Sequence, residues 1–283
     1  MPPIDPAIEA QYNLRERHPD YGDHFARYAE WSAATRRRRD DAALDLDYGA
    51  GAGATIDVFP APRAGAPFNL FIHGGYWRSL DKSDFSFVAD GLGADGAAVA
   101  VVNYALAPAV TLDAIALQIR AATAWCRDNA RRFNADPARL HLSGHSAGGH
   151  LVAMALATTG ADGVGPISSG AAISGLFDLE PLRHSSVNAD LGLDAPAARR
   201  NSPIHAPPAP PLPMIVAVGG DESDAFIDQS RAYAALCRDH GCPLLHQVPA
   251  GLNHFQIIEA LADRRDPLTA AILDRMAPDG MAG

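Results

Sequence analysis

Gly144-His145-Ser146-Ala147-Gly148 sets a serine between two glycines, after an apolar run and before another. A G-x-S-x-G segment at a strand-to-helix junction is a nucleophile elbow. The turn is so tight that side chains two residues before and after the serine would clash, and glycine removes them. It would lift the Ser146 hydroxyl above a sheet edge and aim a helix N-terminus, with its free N–H groups, at the reacting atoms. Gly and Ser are common, so the pentapeptide alone could be chance; its setting between strand and helix is what gives it weight. The second segment is His73-Gly74-Gly75-Tyr76-Trp77, at the end of an earlier apolar run. Backbone N–H groups of Gly74 and Gly75, with that of Ala147, would form an oxyanion hole for a tetrahedral intermediate. An HGG triplet by itself could be an ordinary turn; 71 residues before an elbow serine it is more telling.

A serine nucleophile needs a base and an acid, and after such an elbow the order is serine, acid, histidine. His150 is too close to Ser146 to reach back over it, and His246 falls inside a strand as a packed or edge residue. His254 lies in a loop after the last strand, where a base belongs. The acid should follow the preceding strand, which runs into Gly219-Gly220-Asp221-Glu222-Ser223-Asp224. Three carboxylates compete there to orient the imidazole and stabilise its cation.

The elements that must hold these residues are short β-rich runs alternating with longer amphipathic ones. Strands are expected at Thr55–Phe59, Asn69–Ile72, Ala98–Asn103, Arg139–Leu142, Ala171–Ser174, Met214–Val218 and Leu244–Val248. Helices are expected at Leu112–Phe133, Ala147–Ala157, Ile227–Cys237, Phe255–Leu261 and Pro267–Met276. Such alternation predicts an α/β fold: a mostly parallel central sheet with helices on both faces, joined by right-handed crossovers. Tyr21, Phe25, Tyr28 and Trp31 have helical spacing and predict an N-terminal helical arm over residues 1–44. Residues 180–213 break the alternation and are rich in Pro. They predict a lid or pocket-wall insertion, with a plain surface connection equally open.

Composition narrows the class. The 283 residues are 48% hydrophobic and 20% charged, enough to bury a large core and too apolar for disorder. A length prior leans to two domains, but α/β units often run this long, and no repeat or linker divides the chain; a single domain over 1–283 is expected. The net charge of −10 disfavours nucleic acid. Arg36–Arg39 is a short basic run neutralised by Asp40 and Asp41, a solvated helix end. Cys126, Cys237 and Cys242 include no CxxC and fit a reducing, cytoplasmic setting rather than a disulfide framework. No signal peptide or membrane span is legible. His141, His145 and His150 lack the spacing of a metal site, so neither metal nor cofactor is expected. The partner is a small-molecule substrate; a homo-oligomer is compatible with the sequence and not required by it.

Taken together these residues resemble the α/β-hydrolase fold, in the branch of hormone-sensitive-lipase-like esterases and kynurenine formamidases (arylformamidases). Asn103-Tyr104-Ala105-Leu106-Ala107-Pro108 is similar to the branch's Tyr-x-x-x-Pro segment. His73–Lys82, with Tyr76 where general esterases carry a third glycine, is closer to the formamidases, as are Glu222–Phe226 with Gln229-Ser230 and the Asn253-His254-Phe255 loop. The resemblance spans about residues 55–276. It implies a triad of Ser146, an acid and His254. The formamidase pattern carries aspartate where this chain, counted back from Phe226, has Glu222, so the acid role passes to Glu222 with Asp221 as runner-up. The implied reaction is acyl transfer to Ser146 followed by hydrolysis, on an aryl formamide such as N-formylkynurenine or, alternatively, on short acyl esters. A non-catalytic ligand-binding member of the fold would have no use for acid and base. Tyr76 and Trp77 are expected to shape the substrate pocket, narrowing its acyl side and offering an aromatic wall.

Overall fold

The computed structural model describes residues 2–157, 166–208 and 212–277. Pro210 and Pro211 of the proline-rich stretch lie outside the described residues. Eight strands form one sheet: β1 Ala43–Asp47, β2 Thr55–Phe59, β3 Ala66–Ile72, β4 Ala98–Val102, β5 Ala135–His145, β6 Ser169–Ile173, β7 Met214–Ala217 and β8 Leu244–Gln247. Their order is β1-β2-β4-β3-β5-β6-β7-β8. β2 runs antiparallel to β1 and β4, and the pairs from β4 to β8 are parallel.

Alternation along each strand sorts the side chains onto two faces. Phe68, Leu70 and Ile72 of β3, with Ala98, Ala100 and Val102 of β4, enter one core. It is closed by α5 (Leu112–Asn129), α6 (Ala147–Ala157) and α9 (Asp224–Asp239). Phe71, Val99, Val101, Ala171, Ile173, Ile215 and Ala217 enter the other. That face is covered by α4 (Val88–Leu92), by α10 (Pro267–Met276), by the 3-10 turn Ile257–Ala262 and by the arm. β4 is buried at every position, which is why it reads as unbroken Ala and Val.

Several elements differ from the sequence expectation. β1 was not anticipated: Ala-Leu-Asp-Leu-Asp is half polar and lies exposed at the sheet edge, so it lacks an apolar run. β5 starts earlier and is eleven residues long. The expected helix Phe255–Leu261 is a 3-10 turn, and α9 begins three residues sooner, after Ser223. The arm holds three helices, α1 (Pro6–Tyr12), α2 (Leu14–Arg17) and α3 (Tyr21–Arg38). α1 starts where Asp5 accepts from the Ala7 N–H and Pro6 supplies a preset φ. Described residues of 180–213 fold into short helical turns, among them α7 (Asn188–Leu191) and α8 (Ala195–Arg200). Among the described residues no helix is long and apolar enough to cross a membrane.

Candidate active site

β3 and β5 are parallel neighbours, with Ile72 opposite Gly144. The chain leaves β3 towards β4 on one side and leaves β5 towards β6 on the other. Strand order thus reverses between β3 and β5, and a crevice opens above their carboxyl ends. Two residues past that register lie Gly74 and Ser146. A Cβ on Gly74 would stand 3.0 Å from the Ser146 Cβ, so the glycine backbone lies against the serine.

Ser146 has φ 58°, in the left-handed region, and its N–H donates to the Ile173 carbonyl at 2.8 Å. This strained turn is held by close packing. A Cβ on Gly148 would meet the Ile72 carbonyl oxygen at 1.9 Å, and one on Gly144 the Gly148 oxygen at 2.4 Å. The flanking glycines thus let α6 pack directly on β3 and β5. The segment after β3 is strained too. Gly75 has φ 107°, and a Cβ there would lie 2.1 Å from the Ser79 carbonyl oxygen. Tyr76 and Trp77 follow at φ 50° and 56°. None of the N–H groups of Gly74, Gly75 and Ala147 donates to a protein acceptor among the described residues.

Tyr76 and Trp77 turn opposite ways. Tyr76 lines the cavity above Ser146, and its hydroxyl donates to the Tyr12 carbonyl at 2.6 Å. Burial pushes that phenol well above its usual range, so it remains a donor. Trp77 is fully buried, edge-on to His150 at 4.9 Å, and does not line the cavity. The expectation that Trp77 forms pocket wall is therefore corrected: consecutive left-handed residues send its ring into the core.

The structure pairs Glu222, not Asp221, with His254. Glu222 Oε2 lies 2.6 Å from His254 Nδ1. Its Oε1 accepts from the Ser174 hydroxyl at 2.5 Å and from the Gly219 N–H at 2.8 Å. Both residues are buried, whereas Asp221 is exposed and, among the described residues, accepts only from the Gly251 N–H at 3.3 Å. Such a carboxylate holds the imidazole with Nδ1 protonated, leaving Nε2 to accept. Ser146 and His254 line the same cavity without a hydrogen bond between them among the described residues; such contacts commonly tighten on substrate binding.

Other histidines take structural places. His145 donates from Nε2 to the His254 carbonyl at 2.9 Å. Burial, reinforced by neighbouring His254, holds its pKa well below the usual value, which keeps it neutral. His150 contacts the Asn201 carbonyl at 2.8 Å and His246 the Ser230 hydroxyl at 3.1 Å. His141 contacts the Ser169 hydroxyl at 2.7 Å, so the histidines at 141, 145 and 150 face separate partners rather than one ion.

Sequence reasoning missed Ser174 and the part the arm plays in the cavity. Ser174 is one serine after β6, at φ 50°, and only that backbone conformation marks it. The arm supplies Tyr12, Asn13, Leu14 and Arg15 to the cavity, and Val187 comes from the 180–213 segment. It also grips the loop carrying His254. The Tyr28 hydroxyl donates to the Phe255 carbonyl, the Phe255 ring packs among Tyr21, His24 and Phe25, and Glu259 binds His24 and Arg27. The aromatic spacing that announced the arm was the available signal; its target was not.

Known proteins resemble the chain in sequence and in fold. The family profile described as BD-FAE matches residues 56–169. A kynurenine formamidase of Danio rerio is 32% identical over 239 residues, covering 81% of this chain and 80% of that protein. The esterase LipQ of Mycobacterium tuberculosis is 26% identical over 78% of this chain and 59% of that one. A crystal structure of a candidate thioesterase from Silicibacter sp. TM1040 superposes with a TM-score of 0.83 at 33% identity, covering 94% of this chain and 98% of that one. The fold is that of the α/β-hydrolases.

Proposed function

We propose, for a chain that belongs to the kynurenine formamidase family of α/β-hydrolases, that Ser146 cleaves a small acyl group from an aryl formamide such as N-formylkynurenine. One observation carries the reading. A serine in a strained elbow, the idle N–H groups beside it and the buried Glu222–His254 pair open into one cavity walled by Phe25, Tyr28, Tyr76, Phe85 and Phe255. Ser146 Oγ attacks the formyl carbon while His254 Nε2 takes its proton. The carbonyl oxygen, now an anion, is received by the N–H groups of Gly74, Gly75 and Ala147, which are already oriented and need no reorganisation. The imidazolium, stabilised by ionised Glu222, returns the proton to the departing arylamine nitrogen. Water activated by the same histidine then releases formate and frees the serine.

The formyl group is the smallest acyl group, and Tyr76 stands where a glycine would leave room for a larger one. A flat arylamine suits aromatic walls. The arm (1–44) and the 180–213 segment belong to the same single-domain proposal as walls of one site, which Tyr12–Arg15 and Val187 support. A reducing, cytoplasmic setting is part of it as well; three buried free thiols support that. A second reading, a short-chain carboxylesterase, draws on the LipQ likeness and on machinery that serves both bonds.

The test is a panel of N-formylkynurenine and p-nitrophenyl esters of rising chain length, with Ser146→Ala as control. The formamide is expected to show the highest kcat/KM, and among esters the formyl and acetyl should lead, falling steeply by butyryl. Ser146→Ala should lose about 10⁴- to 10⁶-fold in kcat. Preference for hexanoyl esters with no action on the formamide would leave the esterase reading in its place.

A further inference from the structure

The chain carries a net charge of −10, yet the described residues lining the active-site cavity include two arginines, Arg15 and Arg78, and no carboxylate. A cavity whose charge is opposite in sign to its protein suits an anionic ligand.

Arg78 belongs to the loop that carries Gly75, and the Arg15 guanidinium is tied to it. The Arg78 N–H donates to the Gly75 carbonyl at 3.1 Å. Arg15 reaches the same loop from α2, donating from Nη2 to the Ser79 hydroxyl at 3.3 Å, and Ser79 Oγ donates to the Gly75 carbonyl at 3.0 Å. The Arg15 guanidinium also lies over the Tyr21 ring, 5.3 Å from its centroid, and 6.0 Å from that of Phe25. These contacts orient it without neutralising it; among the described residues it has no carboxylate partner. Arg78 is partly neutralised, with Nη1 2.5 Å from Asp190 Oδ2 on α7, and Glu9 lies close enough to feel its charge. Neither Asp190 nor Glu9 lines the cavity. A guanidinium has five N–H donors, so Arg78 keeps donors beyond the one given to Asp190.

We propose that Arg15, assisted by Arg78, binds the carboxylate at the far end of the leaving group and so determines specificity for it. The inference rests on the formamidase reading and adds to it the recognition of the substrate's far end. Two N–H groups of Arg15 can meet both oxygens of a carboxylate, a geometry lysine cannot reproduce. Because the Arg15 guanidinium is fastened to the Gly75 loop and Arg78 belongs to that loop, the anchored carboxylate and the oxyanion donors keep a fixed separation.

The experiment compares N-formylkynurenine with its carboxamide, in which the carboxylate is replaced and the formamide kept. Wild type should favour the carboxylate by about tenfold or more in kcat/KM, mostly through KM. In Arg15→Gln that preference should fall towards one, chiefly through a higher KM for the carboxylate, and Arg15→Lys should retain part of it. Circular dichroism of Arg15→Gln checks that α2 is intact. Wild type hydrolysing both compounds equally, or an undiminished preference in Arg15→Gln, would overturn the carboxylate site while leaving the formamidase reading standing. Hydrolysis of neither compound would overturn the formamidase reading and this inference with it.

Discussion

Glu222 has both carboxylate oxygens engaged: one on His254, the other on the Ser174 hydroxyl and the Gly219 N–H. Glu222→Gln removes the charge that stabilises the imidazolium and offers an amide that can present a donor to Nδ1–H. The expected loss in kcat is about 10³- to 10⁴-fold. Asp221→Asn should change little, because that side chain is exposed and meets only a backbone N–H. Ser174→Ala leaves the charge but removes one of the two donors to Oε1, and a loss of about tenfold is expected. Steady-state kinetics of the three variants decide the ranking; Asp221→Asn falling below Glu222→Gln would move the acid. The Gly219 N–H holds the carboxylate from the strand end that precedes it.

At the scale of elements, the arm is a staple across the loops that carry the chemistry. The Tyr12 carbonyl receives Tyr76, its hydroxyl receives Gln229 Nε2 at 2.7 Å, and the Gln11 carbonyl receives the Ser223 hydroxyl at 2.8 Å. Glu9 takes the Ser186 hydroxyl at 2.6 Å and its N–H at 2.7 Å, linking the arm to the 180–213 segment. Thus one short stretch touches the oxyanion loop, the acid loop and the pocket wall. Deleting residues 2–17 should leave the sheet, which begins at Ala43, folded by circular dichroism. It should lower kcat/KM by about 10- to 100-fold, since misplacement of reacting groups by an ångström has that effect. Wild-type kinetics in the truncated protein would show that the staple has no catalytic consequence.

For the whole molecule, the charge state of the core governs tolerance of acid. His73, His141, His145 and His150 are buried, and burial lowers the pKa of each, to about 4 for His141 and His150. The unfolded chain takes up protons near the ordinary value of about 6.5, while the folded chain resists them. Stability from these groups is therefore complete above about pH 6.5 and is lost as pH falls towards 4. Urea midpoints should drop steadily across that window. His141 packs away from the catalytic groups against Ser169, so His141→Gln isolates one contribution. The variant should lose less on acidification than wild type, by up to roughly 3 kcal/mol at pH 4. Parallel pH profiles for the two proteins would refute this account.

The features legible from sequence are those set by local backbone geometry and alternation. Gly144 and Gly148 follow from the approach of α6 to β3 and β5, the unbroken apolar runs from strands covered on both faces, Gly74 from its approach to Ser146 and Gly75 from its positive φ. Each of these constraints acts within a few residues and so leaves a residue type behind. Glu222 was singled out over Asp221 only by its spacing from Phe226, and the part played by Ser174 and the opposite fates of Tyr76 and Trp77 left no such trace. They depend on which of two adjacent side chains points inward, which is set by φ at single positions and by the loops that meet there. The arm's grip on Phe255 and the two arginines of the cavity join residues more than sixty positions apart. Only the folded chain brings them together, because their contacts arise from the packing of separate elements over the crevice between β3 and β5.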